Sequence, residues 1–202
     1  MTKPRRPAIA LACAGLALLM FSVAPTLRGD DHREEREGSD EARIKRGLAH
    51  APVPLNLKGK NLDLVGLGSY FVNVAGDCNG CHTSDQANPY LPGHNPYLGE
   101  SELIDPDKYL VGGSEFIPAH GDFPAIVSRN LRPEANGLPA GRTLAEFREI
   151  LRTGIDLDHA HPQYGPLLQV MPWPAFGKMT NRDIRAIYEY LSALPPNPKP
   201  VP

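Results

Sequence analysis

Three cysteines, four methionines and one tryptophan in 202 residues leave few side chains for soft-metal or redox chemistry. Cys13 lies in an apolar N-terminal run, so Cys78 and Cys81 are the only pair in the body of the chain. A structural zinc site would need a second pair of ligands at suitable spacing, and none is present. No glycine-rich nucleotide loop occurs, and no strand pattern is long enough for the βαβ setting of a thioredoxin-like dithiol. Positive charge is also short. Formal net charge is -2; of the 21 Lys and Arg, Lys3, Arg5 and Arg6 precede Pro25, leaving 18 against 23 Asp and Glu, a net of -5. That balance excludes the basic footprint of a nucleic-acid binder and favours a basic docking partner. With 41% apolar residues the chain can build one domain with a core but is short for two.

The N-terminus has a basic start, an apolar run from Ala8 to Phe21 and then Ser22-Val23-Ala24, the layout of an export signal (residues 1–24) cut after Ala24. The alternative is an uncleaved anchor, because Ala8 to Ala24 is 17 residues, the lower edge of a bilayer span. Only five apolar residues precede Cys13, which reads as part of the signal, not as a lipidated cysteine. Export places the protein in the periplasm, with membrane association only through a retained N-terminal segment or a partner. Residues 25–47 read as a charged linker, since 12 of the 18 residues from Gly29 to Arg46 are charged and cannot bury enough apolar surface to order alone. At most a short helix follows Ser39.

The domain proper is expected over 48–202, all-α. A helix is predicted from Leu62 to Ala75, with Gly66 and Gly68 allowing another helix close approach. A second starts at the capping box Thr143/Glu146 and stops at Gly154, and a third starts at Thr180/Asp183, carries Ile184, Ile187, Tyr188 and Leu191 on one face, and stops at Pro195-Pro196. Between Ser84 and Val127, 11 of 44 residues are Pro or Gly and no periodicity survives. The reading is a long ordered loop, a size that compact domains rarely carry without function.

Chemistry concentrates at Cys78-Asn79-Gly80-Cys81-His82. A CxxCH run is the attachment sequence of c-type haem: two thiols add across the vinyl groups, and the adjacent histidine becomes the proximal iron ligand. A bare disulfide is the bland alternative. The opposite axial position calls for a methionine. Met1 and Met20 lie in the leader, Met179 sits where a hydrophobic staple to Ile184 belongs, and Met171 in Val170-Met171-Pro172-Trp173-Pro174 is expected on extended backbone; Met171 is assigned as ligand. Arg129 and Trp173 are candidates for the haem propionates, against a surface arginine and a core indole. His159 and His161 read as surface-loop histidines, with a metal cluster or alternative axial ligand as the rival. Tyr70 is expected to pack in a helix crossing.

Taken together, Gly66-Leu67-Gly68-Ser69-Tyr70, the CxxCH run with Thr83, Met171-Pro172-Trp173-Pro174 and the helix from Thr180 to Leu191 resemble class I cytochromes c. Ser128-Arg129-Asn130-Leu131-Arg132-Pro133 and Asn136-Gly137-Leu138 narrow the likeness to the haem domains of cytochrome subunits that serve membrane-bound alcohol, aldehyde and gluconate dehydrogenases. The resemblance spans about Leu62–Thr83 and Val127–Pro195, and leaves Ser84–Val127 unaccounted for. It implies a fold in which the helix before CxxCH crosses the last helix, and a one-electron carrier between a dehydrogenase and a respiratory oxidase. A haem subunit of an oxidoreductase complex, or a peroxidase-type enzyme, is the alternative. Those dehydrogenase subunits usually hold three haem domains, whereas this chain has one CxxCH. If Cys78 and Cys81 form thioethers, acidified organic solvent is expected to leave the haem on the polypeptide, and intact mass to stand one haem above the processed chain; a haem that extracts would remove the assignment.

Overall fold

The computed structural model describes residues 39–117 and 124–197. The expected export signal, and the linker as far as Gly38, lie outside the described residues. Helix α1 (Asp40–Ala49) is capped by Ser39, whose hydroxyl accepts from the Ala42 amide at 3.2 Å, with Asp40 and Glu41 in the first turn and Arg46 in the last, each matching the helix dipole. The passage from linker to domain expected at residue 47 therefore falls inside a helix. Its charged side faces solvent, while Gly47 is buried.

Helix α2 (Leu62–Ser69) begins at Asn61, which caps the Leu64 amide at 3.0 Å. It runs on into a π-helical turn, Tyr70–Ala75, closed by the Gly76 amide donating to the Phe71 carbonyl at 2.8 Å. The expected helix from Leu62 to Ala75 is thus present but changes winding halfway. One helical turn, α3 (Cys78–Cys81), follows directly. Helix α4 (Leu144–Thr153) has both hydrogen bonds of its Thr143/Glu146 capping box and ends on Gly154 at φ 72°. Helix α5 (Trp173–Phe176) is a single turn, and α6 (Asn181–Leu191) starts from the full Thr180/Asp183 box.

The two glycines of α2 admit two different helices. A Cβ on Gly66 would stand 2.7 Å from Ile44 Cγ2 of α1, and one on Gly68 would stand 1.9 Å from the Ala186 carbonyl oxygen of α6. Tyr70 begins the π turn: its ring is half-buried, edge-on to Phe71, and its amide faces Gly47 of α1. Around the α2–α6 crossing, Val65, Val72, Ile184, Ile187 and Leu191 form the core with Phe147 and Leu151 of α4.

The fold is mostly helical, but not purely so. Strands β1 (Glu115–Phe116) and β2 (Ile126–Val127) form a small antiparallel pair at the end of the proline- and glycine-rich stretch. Two residues per strand leave no alternation for sequence reading to find. That stretch is also rooted in the core, since Tyr109 is 1% exposed and Leu110 is fully buried. The Tyr109 hydroxyl donates to Asn73 Oδ1 at 2.5 Å and lies 2.7 Å from the Tyr190 hydroxyl. Asn73 Nδ2 donates to Tyr190 Oη at 3.0 Å and to Ser69 Oγ at 2.9 Å, and Ser69 in turn donates to the Gly47 carbonyl at 2.6 Å. One buried chain of hydrogen bonds therefore joins α1, α2, α6 and the irregular stretch. Among the described residues, no helix is long and apolar enough to cross a membrane.

Replacing Gly68 by Ala forces a methyl group into the α6 backbone. The holoprotein is expected to lose about 3 kcal/mol in a urea titration, the upper range for overpacking. Gly59→Ala, where φ is 71° but nothing lies within 4 Å, should cost only about 1 kcal/mol, from backbone strain alone.

Candidate functional site

The attachment sequence folds as α3, so Cys78 and Cys81 stand three residues apart on one helical face, which is where two thioethers to one planar group must be. Asp77 caps this turn from left-handed backbone (φ 43°), its carboxylate accepting from the Gly80 amide at 3.2 Å. Both thiols are free. Burial, then Asp77, then Cys81 push the Cys78 thiol up to about 12, and burial followed by Asp77 raises that of Cys81. A disulfide-exchanging CxxC pair needs a depressed thiol pKa to present thiolate. The shifts here run the other way, towards the neutral thiol.

His82 follows as the C-cap of the turn. Its Nδ1 lies 2.7 Å from the Arg129 carbonyl oxygen, which can only accept, so Nδ1 carries the proton and Nε2 is left with its lone pair. Burial lowers the His82 pKa; the Arg129 carbonyl works against that shift, and the Arg129 guanidinium adds to it. A neutral ring with a fixed tautomer is what a metal ligand requires.

The Arg129 carbonyl is brought there by the irregular stretch. Gly112 donates to the His82 carbonyl at 2.8 Å, and at φ 71° its backbone presses so near the Arg129–Asn130 peptide that a Cβ would lie 2.4 Å from Arg129 C. Leu131 donates to Leu110 at 2.9 Å, and Leu110 donates to Asn79 Oδ1 at 2.9 Å. Asn79 and Gly112 are thus the functional residues that sequence reading missed. The available signals were a carboxamide inside the motif and the Gly112-Gly113 pair.

Arg129's side chain is largely buried and ion-pairs with Asp156 at 3.3 Å; Arg142 meets the same carboxylate at 3.1 Å and also Asp158. Arg129 touches His159 Nδ1, and burial followed by the Arg129 charge lowers the His159 pKa, so its ring serves as an acceptor. Among the described residues, Arg129 Nε and Nη1 are buried donors without an acceptor. His161 is committed elsewhere: its Nε2 donates to the Pro124 carbonyl at 3.1 Å, its Nδ1 accepts from the Gln163 amide at 3.2 Å, and its ring stacks on Tyr164. No group of three or more His, Cys, Asp or Glu among the described residues is placed to hold a metal ion.

Met171 lies at the end of the loop that leaves Gly154, half-buried against the core together with Met179 and Phe176. The extended backbone expected at Pro172 and Pro174 is replaced by the turn α5. A helix N-terminus tolerates proline because its first amides have no intrahelical acceptor. This turn returns to the attachment site: a Cβ on Gly76 would lie 3.6 Å from both Cys78 Sγ and the Phe176 ring. Trp173 lays its indole on Gly154 and donates from Nε1 to the Leu168 carbonyl at 3.2 Å. Along the same loop, Ile155, Leu157, Leu167 and Val170 are exposed, with Ile155 and Leu167 paired in an isolated bridge.

No family model matches the sequence. The cytochrome c subunits of alcohol dehydrogenase (quinone) from Gluconacetobacter polyoxogenes and Komagataeibacter europaeus are each 32% identical over 127 residues, covering 63% of this chain and 21% of theirs. The corresponding subunit of Gluconobacter oxydans is 28% identical over 127 residues, 63% of this chain and 20% of its own. The chain therefore spans about a fifth of the length of the curated relatives it matches.

Asp156, 4% exposed, is the carboxylate both arginines share. Asp156→Asn is expected to cost about 3 kcal/mol in chemical denaturation, the penalty for stranding buried charge. Asp158→Asn, at the exposed end of the cluster, should leave the transition almost unmoved.

Proposed function

We propose that the chain is a periplasmic electron-transfer protein carrying one covalent haem c, and that it passes single electrons from a dehydrogenase towards a respiratory acceptor. The observation that carries this reading is His82, neutral and fixed in tautomer by the Arg129 carbonyl, directly after two cysteines that share a helical face. Similarity to cytochrome c subunits of quinone alcohol dehydrogenases supports a dehydrogenase as the upstream partner.

The haem, when bound, supplies reversible one-electron chemistry. The chain's residues do the holding. Cys78 and Cys81 would anchor the ring, and His82 through Nε2 and Met171 through its thioether would hold the iron. Met179 is the less suitable thioether, because it immediately precedes the capping residue of α6, the place of a hydrophobic staple to Ile184. Arg129, with two unmatched donors, is assigned to a propionate; Trp173 spends its N–H on Leu168 and contributes its ring as a wall. A domain beginning near Asp40 and continuing to the end of α6 accounts for every one of these residues.

With both His82 and Met171 holding the iron, substrate chemistry at the metal would not be part of this reading. Met171→Ala is expected to abolish the sulfur-to-iron absorption of the ferric protein and lower its potential, axial ligation being the largest lever in a range of roughly 0.8 V. Met179→Ala should retain the band and lower stability. The purified holoprotein should be six-coordinate and low-spin in both oxidation states, and should show no turnover on alcohols alone; a high-spin iron, or alcohol oxidation without a partner, would overturn the proposal.

A further inference from the structure

The irregular stretch has a second face, turned away from its contacts with His82 and Arg129. A cavity of about 470 Å³ lies between it and the attachment turn, with Asn79 and Gly80 on one wall and Tyr90, Tyr97 and Glu102 on the other. Tyr97 and Leu98 stand on a short 3₁₀ turn, Pro96–Leu98, and are 87% and 74% exposed. The loop that presents them is held firmly: Asn95 accepts from the Tyr97 amide at 3.0 Å, and Glu100 accepts from the Asn95 amide at 2.7 Å.

In sequence, the charge of this stretch is one-sided. Residues 84–127 contain seven Asp and Glu against a single Lys, more negative charge than the whole chain shows after Pro25. The one cation, Lys108, is committed to Asp85 at 2.9 Å and to the Asn88 carbonyl at 2.8 Å. Among the described residues, Glu102 and Asp77 have no ion-pair partner. Asp77, Tyr90, Tyr97 and Glu102 all line the cavity, and burial first, and then Tyr97, Glu102 and Asp77, raise the pKa of the Tyr90 phenol. The Tyr90 and Tyr97 rings are tilted with centroids 6.4 Å apart.

We propose that this cavity is the docking site for the basic face of a redox protein, which inserts a lysine or arginine between the Tyr90 and Tyr97 rings and the carboxylates of Glu102 and Asp77. Ring faces and carboxylates both attract a cation, and an exposed apolar centre with a charged rim is the anatomy of a protein interface. The residues between the two attachment cysteines form one wall, so a partner seated here lies against the haem-bearing turn. The inference rests on the electron-transfer reading above.

Pentalysine titrated into the ferrous holoprotein at an ionic strength of about 10 mM, where charges act over roughly 30 Å, is expected to shift the amides of Asn79, Gly80, Tyr97 and Glu102 in heteronuclear NMR spectra. Tyr97→Ala and Glu102→Lys, both at exposed positions, should each weaken binding by about fivefold or more, and Glu149→Lys on the outer face of α4 by less than about twofold. Equal weakening by both charge reversals, or unchanged affinity in Tyr97→Ala, would overturn the docking site. Reduction of each variant by a neutral flavin semiquinone is measured alongside. Rates equal to the parent's show the haem competent, so a failed titration counts against the docking site; if the parent itself is not reduced, the electron-transfer reading fails instead.

Discussion

Between His82 and Arg129, 47 residues apart in sequence, a single hydrogen bond decides which nitrogen of the imidazole faces outward. Everything around it serves to keep that carbonyl in place. Gly112 lies flat against the Arg129–Asn130 peptide, Leu110 hangs from the carboxamide of Asn79, and Ser114 exchanges hydrogen bonds with Ser128 while donating to the Thr83 carbonyl. The side chain of Arg129 is locked separately by Asp156, which also recruits Arg142. Backbone and side chain of one arginine thus do different work, the first orienting a ligand and the second offering unmatched donors to an anion.

This arrangement gives the irregular stretch a structural role. It is not a loop laid over a finished domain: Tyr109 and Leu110 are core residues, and the Tyr109–Tyr190–Asn73–Ser69 network closes only when the stretch is present. A buried polar network of this kind is stabilising when every member is matched and costly when one is missing. The phenols of Tyr109 and Tyr190 are both raised by burial, so they remain neutral donors at any ordinary pH.

How far the sequence could be read follows from the range of the forces involved. Caps and amphipathic faces are local, so the starts of α4 and α6 were legible to the residue, from Thr143/Glu146 and Thr180/Asp183. The CxxCH motif is local too. What escaped depends on distant pairing. The two-residue strands, the partner of His82, and the role of Asn79 are set by contacts spanning 10 to 47 residues in the chain, which no window of periodicity contains. Helix α1 was foreseen only as a short helix after Ser39: twelve charges in eighteen residues suggested a solvated linker, while Gly47 on its far side was shaped for α2. At Pro172 and Pro174 the error was of another kind, since proline's exclusion from helix interiors was extended to a helix start, where it does not apply.

The π-helical turn Tyr70–Ala75 acts as a phase shifter between two demands on one continuous segment. Upstream, Gly66 and Gly68 must face α1 and α6; downstream, the cysteine-bearing face must turn towards the Phe176 end of α5. An α-helix advances about 100° per residue, so the extra residue taken up by a π turn rotates everything after it relative to everything before. Length in this segment is therefore a rotational setting: shortening it by one residue would leave every side chain chemically intact and aim the attachment face in a different direction.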